Sequence, residues 1–366
     1  MRAGLLALLL LIAASPGCVG DCKIAGAPGG QPLGFMAQYT ADVCLAPSGG
    51  QGLAVAITTP DGNLGLGAAG VATNGGAAME ATTSVRVGPL SELFTSALIL
   101  RMVDDGRLEL DDLLTARVPT AITDEPIALR HLLAHRSGLK DYTKIASIDA
   151  AASTDAGALL QAAIDKGTTF SPGDKHVVSA TNYLALGVFV EELTGKPWGQ
   201  ALHEELLDPF GLGATFVDGY DEPPADLATG HNANGADITD RLHPDNAHAA
   251  LGILSNTTDV ERLVRLLFED DTFLTDESRL ELRFPAGGTA GDDGFGFGVE
   301  IDRLDGEEVW GRSGVHPGGY GASFLFRPDL GVASVALGNS KPSRTHLPAE
   351  LGLQFGIRTT EPAEEE

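Results

Sequence analysis

Two short stretches of this chain carry residue types that could take part in acyl transfer. Ser137 and Lys140 are three residues apart, and on a helix this spacing would let the lysine amine take the serine hydroxyl proton. Gly138 directly follows the serine and is more typical of a turn, so we expect a structural role for this pair. His316 begins a literal H-x-G sequence, but its Pro317-Gly318 is also typical of a loop.

The elements that would position such chemistry begin with a helix predicted within residues 85–112, directly after Gly88. Pro89 suits the first helical position, because its missing N–H would have no partner there. Glu92 falls in or just after the first turn, where a negative charge is favourable. Gly106 marks the end of the helix. One face is apolar at helical spacing and should be buried: Leu90, Leu93, Phe94, Ala97, Leu98 and Met102.

Motifs around and after this helix follow one another in a fixed order. They are Arg86-Val87-Gly88, GRLELDD at 106–112, HLLAHRSGL at 131–139, FSPG at 170–173, TNYLALG at 181–187, TGKP at 194–197 and LLDPFGL at 206–212. In type and order they resemble the serine beta-lactamase and penicillin-binding-protein family, in particular class C beta-lactamases, D-alanyl-D-alanine carboxypeptidases and related esterases. The resemblance covers residues 52 to 355. It implies an α+β, beta-lactamase/transpeptidase-like fold.

The catalytic residues of that family are replaced in this chain. The resemblance implies acyl transfer by a lysine-activated serine, helped by a Y-x-N motif and by a K-T-G or H-x-G motif. Pro89 stands at the serine position and Glu92 at the lysine position. Val178 and Ala180 replace the tyrosine and the asparagine, and Arg312 stands where the third motif begins. Because losing one member of such a unit is usually near-total for the reaction, we predict a catalytically inactive protein.

Four other polar side chains remain candidates for the cleft: Ser91, Ser179, Ser313 and His316. Ser91 lies two residues past the serine position, about 200° around a helix, so its side chain should face away. Glu92 and Arg312 occupy positions that face one another across the family's cleft. We predict a salt bridge between them, for which bidentate geometry is plausible. The alternative is that both side chains point to solvent, where such a pair contributes little.

Composition narrows the function classes. Lys and Arg total 24 against 50 Asp and Glu, giving a net charge of -26 over 366 residues. This charge argues against nucleic acid and anionic membrane surfaces as direct partners. We expect no cofactor and no metal, because His131 and His135 have no obvious third ligand and the oxygen-rich segment 232–237 is more typical of a turn. No G-x-S-x-G sequence occurs, which argues against the α/β-hydrolase alternative.

The N-terminal residues predict export. Arg2 precedes an apolar run from Leu5 to Ala14, which is typical of a signal peptide over residues 1–17 and too short for a membrane span. Cys18 then lies where a bacterial lipoprotein would be lipidated. The alternative is ordinary cleavage nearby, giving a soluble periplasmic or secreted product. If Cys18 is lipidated, Cys22 and Cys44 remain as an even pair, and we predict a disulfide between them. The alternative is that all three cysteines are unpaired in a disordered tether.

The domain organisation follows from composition and hydrophobic pattern. We predict a Gly/Pro-rich tether over 18–51, one beta-lactamase-related domain over 52–357 and an acidic tail over 358–366. A hairpin is expected from 53–58 and 64–71, and late strands with a turn at Asp305-Gly306 complete the pattern. A mainly antiparallel sheet would therefore combine both chain ends, with flanking helices and a helical lobe inserted at about 110–285.

Two functional classes follow from the sequence. The first is a non-catalytic, probe-unreactive envelope protein that binds or scaffolds, with a peptidoglycan-related ligand or an envelope protein as partner and a lipid anchor as its only link to the membrane. The second is an active serine hydrolase of carboxypeptidase, beta-lactamase or esterase type with relocated catalytic residues. Covalent labelling by a penicillin or fluorophosphonate probe separates the two.

Overall fold

The fold is organised around a seven-stranded antiparallel sheet. A computed structural model describes Cys22 and residues 31–146, 150–283, 294–341 and 343–360. The strands of this sheet are β1 (Gly52–Thr58), β2 (Leu64–Gly70), β6 (Gly294–Phe295), β7 (Glu300–Leu304), β8 (Glu307–His316), β9 (Tyr320–Arg327) and β10 (Val332–Gly338). Their order in the sheet is β2-β1-β10-β9-β8-β7-β6. β1 pairs with β10, so the sheet joins the two ends of the chain as predicted.

Helices fill the chain between the two groups of strands and flank the sheet. They are α1 (Leu33–Cys44), α2 (Ser91–Asp104), α3 (Leu129–Leu133), α4 (Ala156–Ile164), α5 (Ala180–Thr194), α6 (Trp198–Leu202), α7 (Pro244–Leu251), α8 (Thr257–Phe268), α9 (Asp276–Arg283) and α10 (His346–Thr360). A small second sheet has the strand order β3 (Val85–Arg86), β5 (Ile253–Ser255) and β4 (Phe216–Val217). Its strand β3 precedes α2 in the chain, and Ile253 of β5 donates its N–H to the Ser91 hydroxyl at the start of α2.

Both faces of strand β1, which lies between β2 and β10, are covered, which explains why all seven of its residues are buried. Ala54 and Ala56 face the main apolar core under the inserted helices. Leu53, Val55 and Ile57 face a second apolar cluster made with α1 and α10. Because successive strand residues point to opposite faces, this alternation places the sheet between two helical layers.

Helix α1 corrects the expectation of a tether over 18–51. Its residues Met36 and Ala37 are buried against the sheet. Gly65 and Gly67 of β2 make this possible, since a Cβ on Gly67 would lie 2.3 Å from the Ala37 backbone. The Gly- and Pro-rich composition predicted a linker, whereas a short helix forms there because it packs on the sheet.

Several local predictions are confirmed. The first hairpin forms between β1 and β2, and Asp305-Gly306 turns with φ of 55° and 88°, as a primed hairpin turn requires. The structure adds a cap at the start of α8, where the Asn256 side chain accepts from the N–H groups of Thr258 and Asp259. The predicted signal peptide, Cys18 and residues 361–366 of the acidic tail lie outside the described residues, and residues 358–360 continue α10. The domain boundaries stay predictions.

Candidate functional site

The chain turns sharply between β3 and α2, at the place where the sequence analysis put a missing nucleophile. Gly88–Leu90 form a 3-10 turn with Pro89 near its start, so the proline precedes α2 instead of opening it. The Pro89 ring lies against Gly314 of β8, where an added Cβ would come within 2.4 Å of the ring. Proline therefore fills the position with carbon and offers neither a hydroxyl nor an N–H.

Glu92 and Arg312 form the predicted salt bridge across the site. The Arg312 Nη2 donates to Glu92 Oε2 at 2.5 Å, and both side chains are almost fully buried, with 4% and 3% exposed. The pair is not bidentate, because Arg312 Nη1 instead donates to Glu300 Oε1 at 2.7 Å. The guanidinium also lies over the Phe295 ring, 4.8 Å from its centre. One arginine thus joins α2 to β7 and β8.

His135 is a partner of Glu92 that the sequence analysis did not identify. Its Nδ1 accepts the backbone N–H of Ser179 at 3.3 Å and lies 2.9 Å from the Asn182 amide nitrogen. Because Nδ1 accepts, Nε2 carries a proton, which it donates to Glu92 Oε2 at 3.2 Å. The only sequence signal was its place in the HLLAHRSGL motif, where we considered His135 only as a possible metal ligand.

The electrostatics of this network keep its charges fixed. Burial raises the pKa of Glu92, but Arg312 and His135 lower it by more, so the pKa lies below its ordinary value. Burial lowers the pKa of Arg312, and Glu92 and Glu300 more than offset this, so the pKa lies above its ordinary value. The nearby His176 has its pKa lowered to about 4 by burial and then by His135 and Arg312. An ion-paired carboxylate and a guanidinium that keeps its proton are poor groups for proton transfer.

The second motif position supplies no proton-transfer group either. Val178 is exposed, and Ala180 begins α5. Ser179 between them is buried, and its hydroxyl has no hydrogen-bond partner in the structure. Its backbone N–H is the group that fixes His135, which brings this serine to the edge of the Glu92 network.

The remaining candidates have mostly structural surroundings. Ser91 is buried and its hydroxyl accepts the N–H of Ile253 at 3.0 Å, which confirms that it faces away from the cleft. Ser313 is exposed on β8 and pairs through its backbone with Ser323.

His316 is buried next to Gly88, and its Nδ1 accepts the Gly318 N–H at 2.9 Å. Burial, with help from Arg86 and Lys341, lowers the pKa of His316 to about 3.

The Ser137 hydroxyl and the Lys140 amine are not hydrogen-bonded to each other. The Ser137 hydroxyl donates to the Asn182 side chain and accepts from the Leu139 N–H, inside the protein. The Lys140 amine donates to the Lys166 carbonyl at 2.7 Å, near the surface. The pair is therefore structural, as the glycine between them indicated.

The cysteine pairing and the metal alternatives can be placed as well. No disulfide joins Cys22 and Cys44 in the structure, and their pairing stays a prediction. A hydrogen bond to Cys22, followed by burial, raises the pKa of Cys44, so the two side chains lie close together. His131 accepts the Ala128 N–H through Nδ1 at 3.2 Å, and Asn232 accepts two backbone N–H groups, which makes 232–237 a turn.

The start of the buried helix α2 is packed on strand β8, through Pro89 against Gly314 and through the ion pair of Glu92 with Arg312. The chain belongs to the Beta-lactamase family, whose model matches residues 42–354. It is 30% identical over 224 residues to penicillin-binding protein 4 of Amycolatopsis lactamdurans, which covers 57% of this chain and 58% of that protein. It is 29% identical over 190 residues to a teichoic acid D-alanine hydrolase of Staphylococcus aureus, covering 50% and 45%. The chain thus spans about half the length of these relatives.

Solved structures agree on the fold. The D-amino acid amidase from Ochrobactrum anthropi SV3 complexed with L-phenylalanine superposes with a TM-score of 0.78 at 23% identity, covering 90% of this chain and 99% of the amidase. A D-stereospecific amidohydrolase from a Streptomyces species gives 0.75 at 23% identity, with 87% and 98% covered. At this level of identity the likeness establishes the beta-lactamase/transpeptidase-like fold.

Proposed function

We propose that this protein is a non-catalytic member of the Beta-lactamase family that binds or scaffolds at the bacterial envelope. The observation that carries the proposal is the buried Glu92–Arg312 ion pair, which takes up the position of the family's nucleophile-activating lysine. Pro89 closes the neighbouring nucleophile position with a ring packed on Gly314.

The chemistry of the replaced groups supports an inert cleft. Acyl transfer needs a nucleophile whose proton a base can accept. Glu92 is engaged by Arg312 and His135, and its lowered pKa makes it a weak base. Within the part of the chain that the structure describes, no hydrogen bond joins a lysine amine to a serine, threonine or tyrosine hydroxyl. A relocated serine–lysine pair therefore has no support in the described residues.

The envelope location and the ligand class are part of the same proposal. The two curated relatives are named for penicillin binding and for teichoic acid, which suggests a peptidoglycan-related ligand or an envelope protein as partner. No helix in the described portion is long and apolar enough to cross a membrane. Export by residues 1–17 and anchoring through a lipid on Cys18 complete the proposal.

An active serine hydrolase remains the second candidate because of one residue. Ser179 combines a buried hydroxyl without a hydrogen-bond partner and a backbone contact to His135. If any serine of the cleft has become a nucleophile, this residue has the most suitable surroundings.

The deciding experiment is covalent labelling of the purified full chain with a fluorescent penicillin and a fluorophosphonate probe, beside an active serine beta-lactamase. We expect no labelling. Labelling that the Ser179→Ala or Ser313→Ala variant abolishes would overturn the proposal and make the protein an enzyme.

Ligand binding is tested in the same preparation by sedimentation with purified peptidoglycan. Val178→Trp adds bulk at the second motif position, where the valine side chain is exposed, and should weaken retention. Ile122→Trp is the matched control at an exposed isoleucine and should leave retention unchanged. Equal retention of the two variants would show that the cleft is not the binding surface.

A further inference from the structure

A second polar groove lies between helix α8 and the β1–β2 turn, and we call it the α8 groove. Its volume is about 540 Å³, and its walls include Thr58, Leu64, Thr258, Glu261, Arg265 and Leu266. The helical residues recur every three or four positions, so one face of α8 forms one wall. None of these residues belongs to the Glu92 network.

Three oxygen atoms of this groove have no hydrogen-bond partner. They are the Thr58 hydroxyl, the Thr258 hydroxyl and Oε1 of Glu261. Thr58 is 2% exposed and Glu261 is 6% exposed, so neither residue has much access to water. Buried polar groups are nearly always paired in native proteins, and three unpaired oxygens lining one groove therefore indicate a missing partner.

The charge of Glu261 is also incompletely compensated. The nearest paired cation is Arg265, whose Nε lies 4.0 Å from Oε1 of Glu261. That guanidinium is engaged elsewhere, with Glu269 at 3.1 Å and with the Thr59 carbonyl at 3.4 Å. Burial raises the pKa of Glu261. The Thr58 hydroxyl lies near the carboxylate and acts against this rise, as do Arg265 and Arg262, which also lines the groove.

The hydrogen-bond donors that these three oxygens lack indicate what kind of ligand the groove could bind. A primary ammonium group carries one positive charge and three N–H donors, and the groove offers one carboxylate oxygen and two hydroxyls without partners. Leu64 and Leu266 add an apolar surface for a short alkyl chain. In the described residues there is no cluster of three or more His, Cys, Asp and Glu side chains that could hold a metal ion. These features favour an organic cation.

We propose that the α8 groove binds the primary ammonium group of a small organic cation. Oε1 of Glu261 accepts the charge-assisted hydrogen bond, and the hydroxyls of Thr58 and Thr258 accept the other two. The α8 groove is separate from the cleft, so this proposal does not depend on whether the protein is an active enzyme.

The test is calorimetric titration of the full chain with n-butylammonium chloride at about 0.3 M salt, where attraction to the protein's overall negative charge is largely screened. We expect saturable binding that Glu261→Gln weakens at least about tenfold, the usual scale for a lost charge-assisted hydrogen bond. Glu192→Gln removes the same charge at an exposed position of α5 and should leave the affinity unchanged. Absence of saturable binding, or equal affinity in the Glu261→Gln protein, would overturn the proposal.

Two ligand controls separate the hydrogen bonds from charge and from alkyl contact. n-Butanol keeps the chain without the charge, and n-butyltrimethylammonium keeps the charge without any N–H. Both should bind at least about tenfold more weakly than n-butylammonium. Equal binding of either one would contradict the ammonium assignment. If Glu261→Gln does not fold, Thr58→Val provides the same comparison, because it removes one hydroxyl with little change of shape.

Discussion

The cleft and the α8 groove each bury a glutamate, and the two glutamates differ in what surrounds them. Glu92 is 2% exposed and is held by Arg312 at 2.5 Å and His135 at 3.2 Å. Glu261 is 6% exposed, and its Oε1 has no hydrogen-bond partner. The pKa of Glu92 is lowered and that of Glu261 is raised, although burial acts in the same direction on both.

This difference separates a closed site from an open one. Moving a carboxylate out of water costs several kcal/mol unless nearby charges and donors replace the lost hydration. In the cleft, the protein's own arginine and histidine supply that replacement, so the position needs no ligand. In the α8 groove the replacement is incomplete, and a cationic ligand can still supply it.

The largest expected effect comes from reversing the charge of the closed site. Glu92→Lys would place an ammonium beside the buried Arg312 guanidinium, so we expect a loss of about 4 kcal/mol in the free energy of unfolding. Urea denaturation measures the loss. Glu192→Lys makes the same substitution at an exposed position and should stay within about 0.5 kcal/mol of wild type. A Glu92→Lys protein as stable as this control would mean that the ion pair is not formed.

The next prediction concerns a variant that restores the family's serine and lysine. Pro89→Ser combined with Glu92→Lys should not hydrolyse a chromogenic cephalosporin, because Val178 and Ala180 still leave the second motif without a proton-transfer group. Turnover above the background of the wild-type chain would show that this motif has been placed on the wrong residues.

A double-mutant cycle sharpens what the ion pair contributes. Glu92→Leu and Arg312→Met should each destabilise the protein, because each leaves a buried charge without its partner. The double variant should be less destabilised than the sum of the two, with a coupling on the order of 2 kcal/mol. Additive losses would indicate that Glu300 alone satisfies Arg312 and that Glu92 is held by His135.

Sequence reasoning identified both ends of this ion pair but not the groups around it. Glu92 and Arg312 could be predicted because they occupy motif positions whose separation in space the family fixes. Glu300 and His135 could not, since their contacts depend on the pairing of β7 with β8 and on the positive φ of 52° at His135. These are properties of tertiary packing, and no local pattern in the chain encodes them.

The same limit explains helix α1 and the α8 groove. The apolar face of α1 is short and lies among glycines and prolines, so composition predicted a tether. That Thr58 of β1 would come to lie beside Glu261 of α8 follows only from how the helix packs on the sheet.

The two glutamates should also respond to pH with opposite signs. The folded pKa of Glu92 lies below its unfolded value, so its stabilisation is present above the unfolded pKa and is lost as pH falls through the folded pKa. The folded pKa of Glu261 lies above its unfolded value, so stability falls as pH rises from the unfolded to the folded pKa. Urea denaturation across this range should show the deficit of Glu92→Gln shrinking in acid. The stability of Glu261→Gln relative to wild type should rise toward neutral pH, and parallel curves for the two variants would contradict the comparison.

The smallest expected effect is also the most direct test of the open site. Glu261→Leu replaces a buried carboxyl, whose Oε1 has no hydrogen-bond partner, with an apolar side chain of similar size. The desolvation cost therefore disappears and few favourable contacts are lost. We expect a free energy of unfolding between unchanged and about 1 kcal/mol higher, measured without ligand by urea denaturation. Glu92→Leu is the matched substitution in the closed site and should lower stability. If Glu261→Leu instead costs more than about 1 kcal/mol, then the folded protein already satisfies this carboxyl, and the distinction between a closed cleft and an open groove fails.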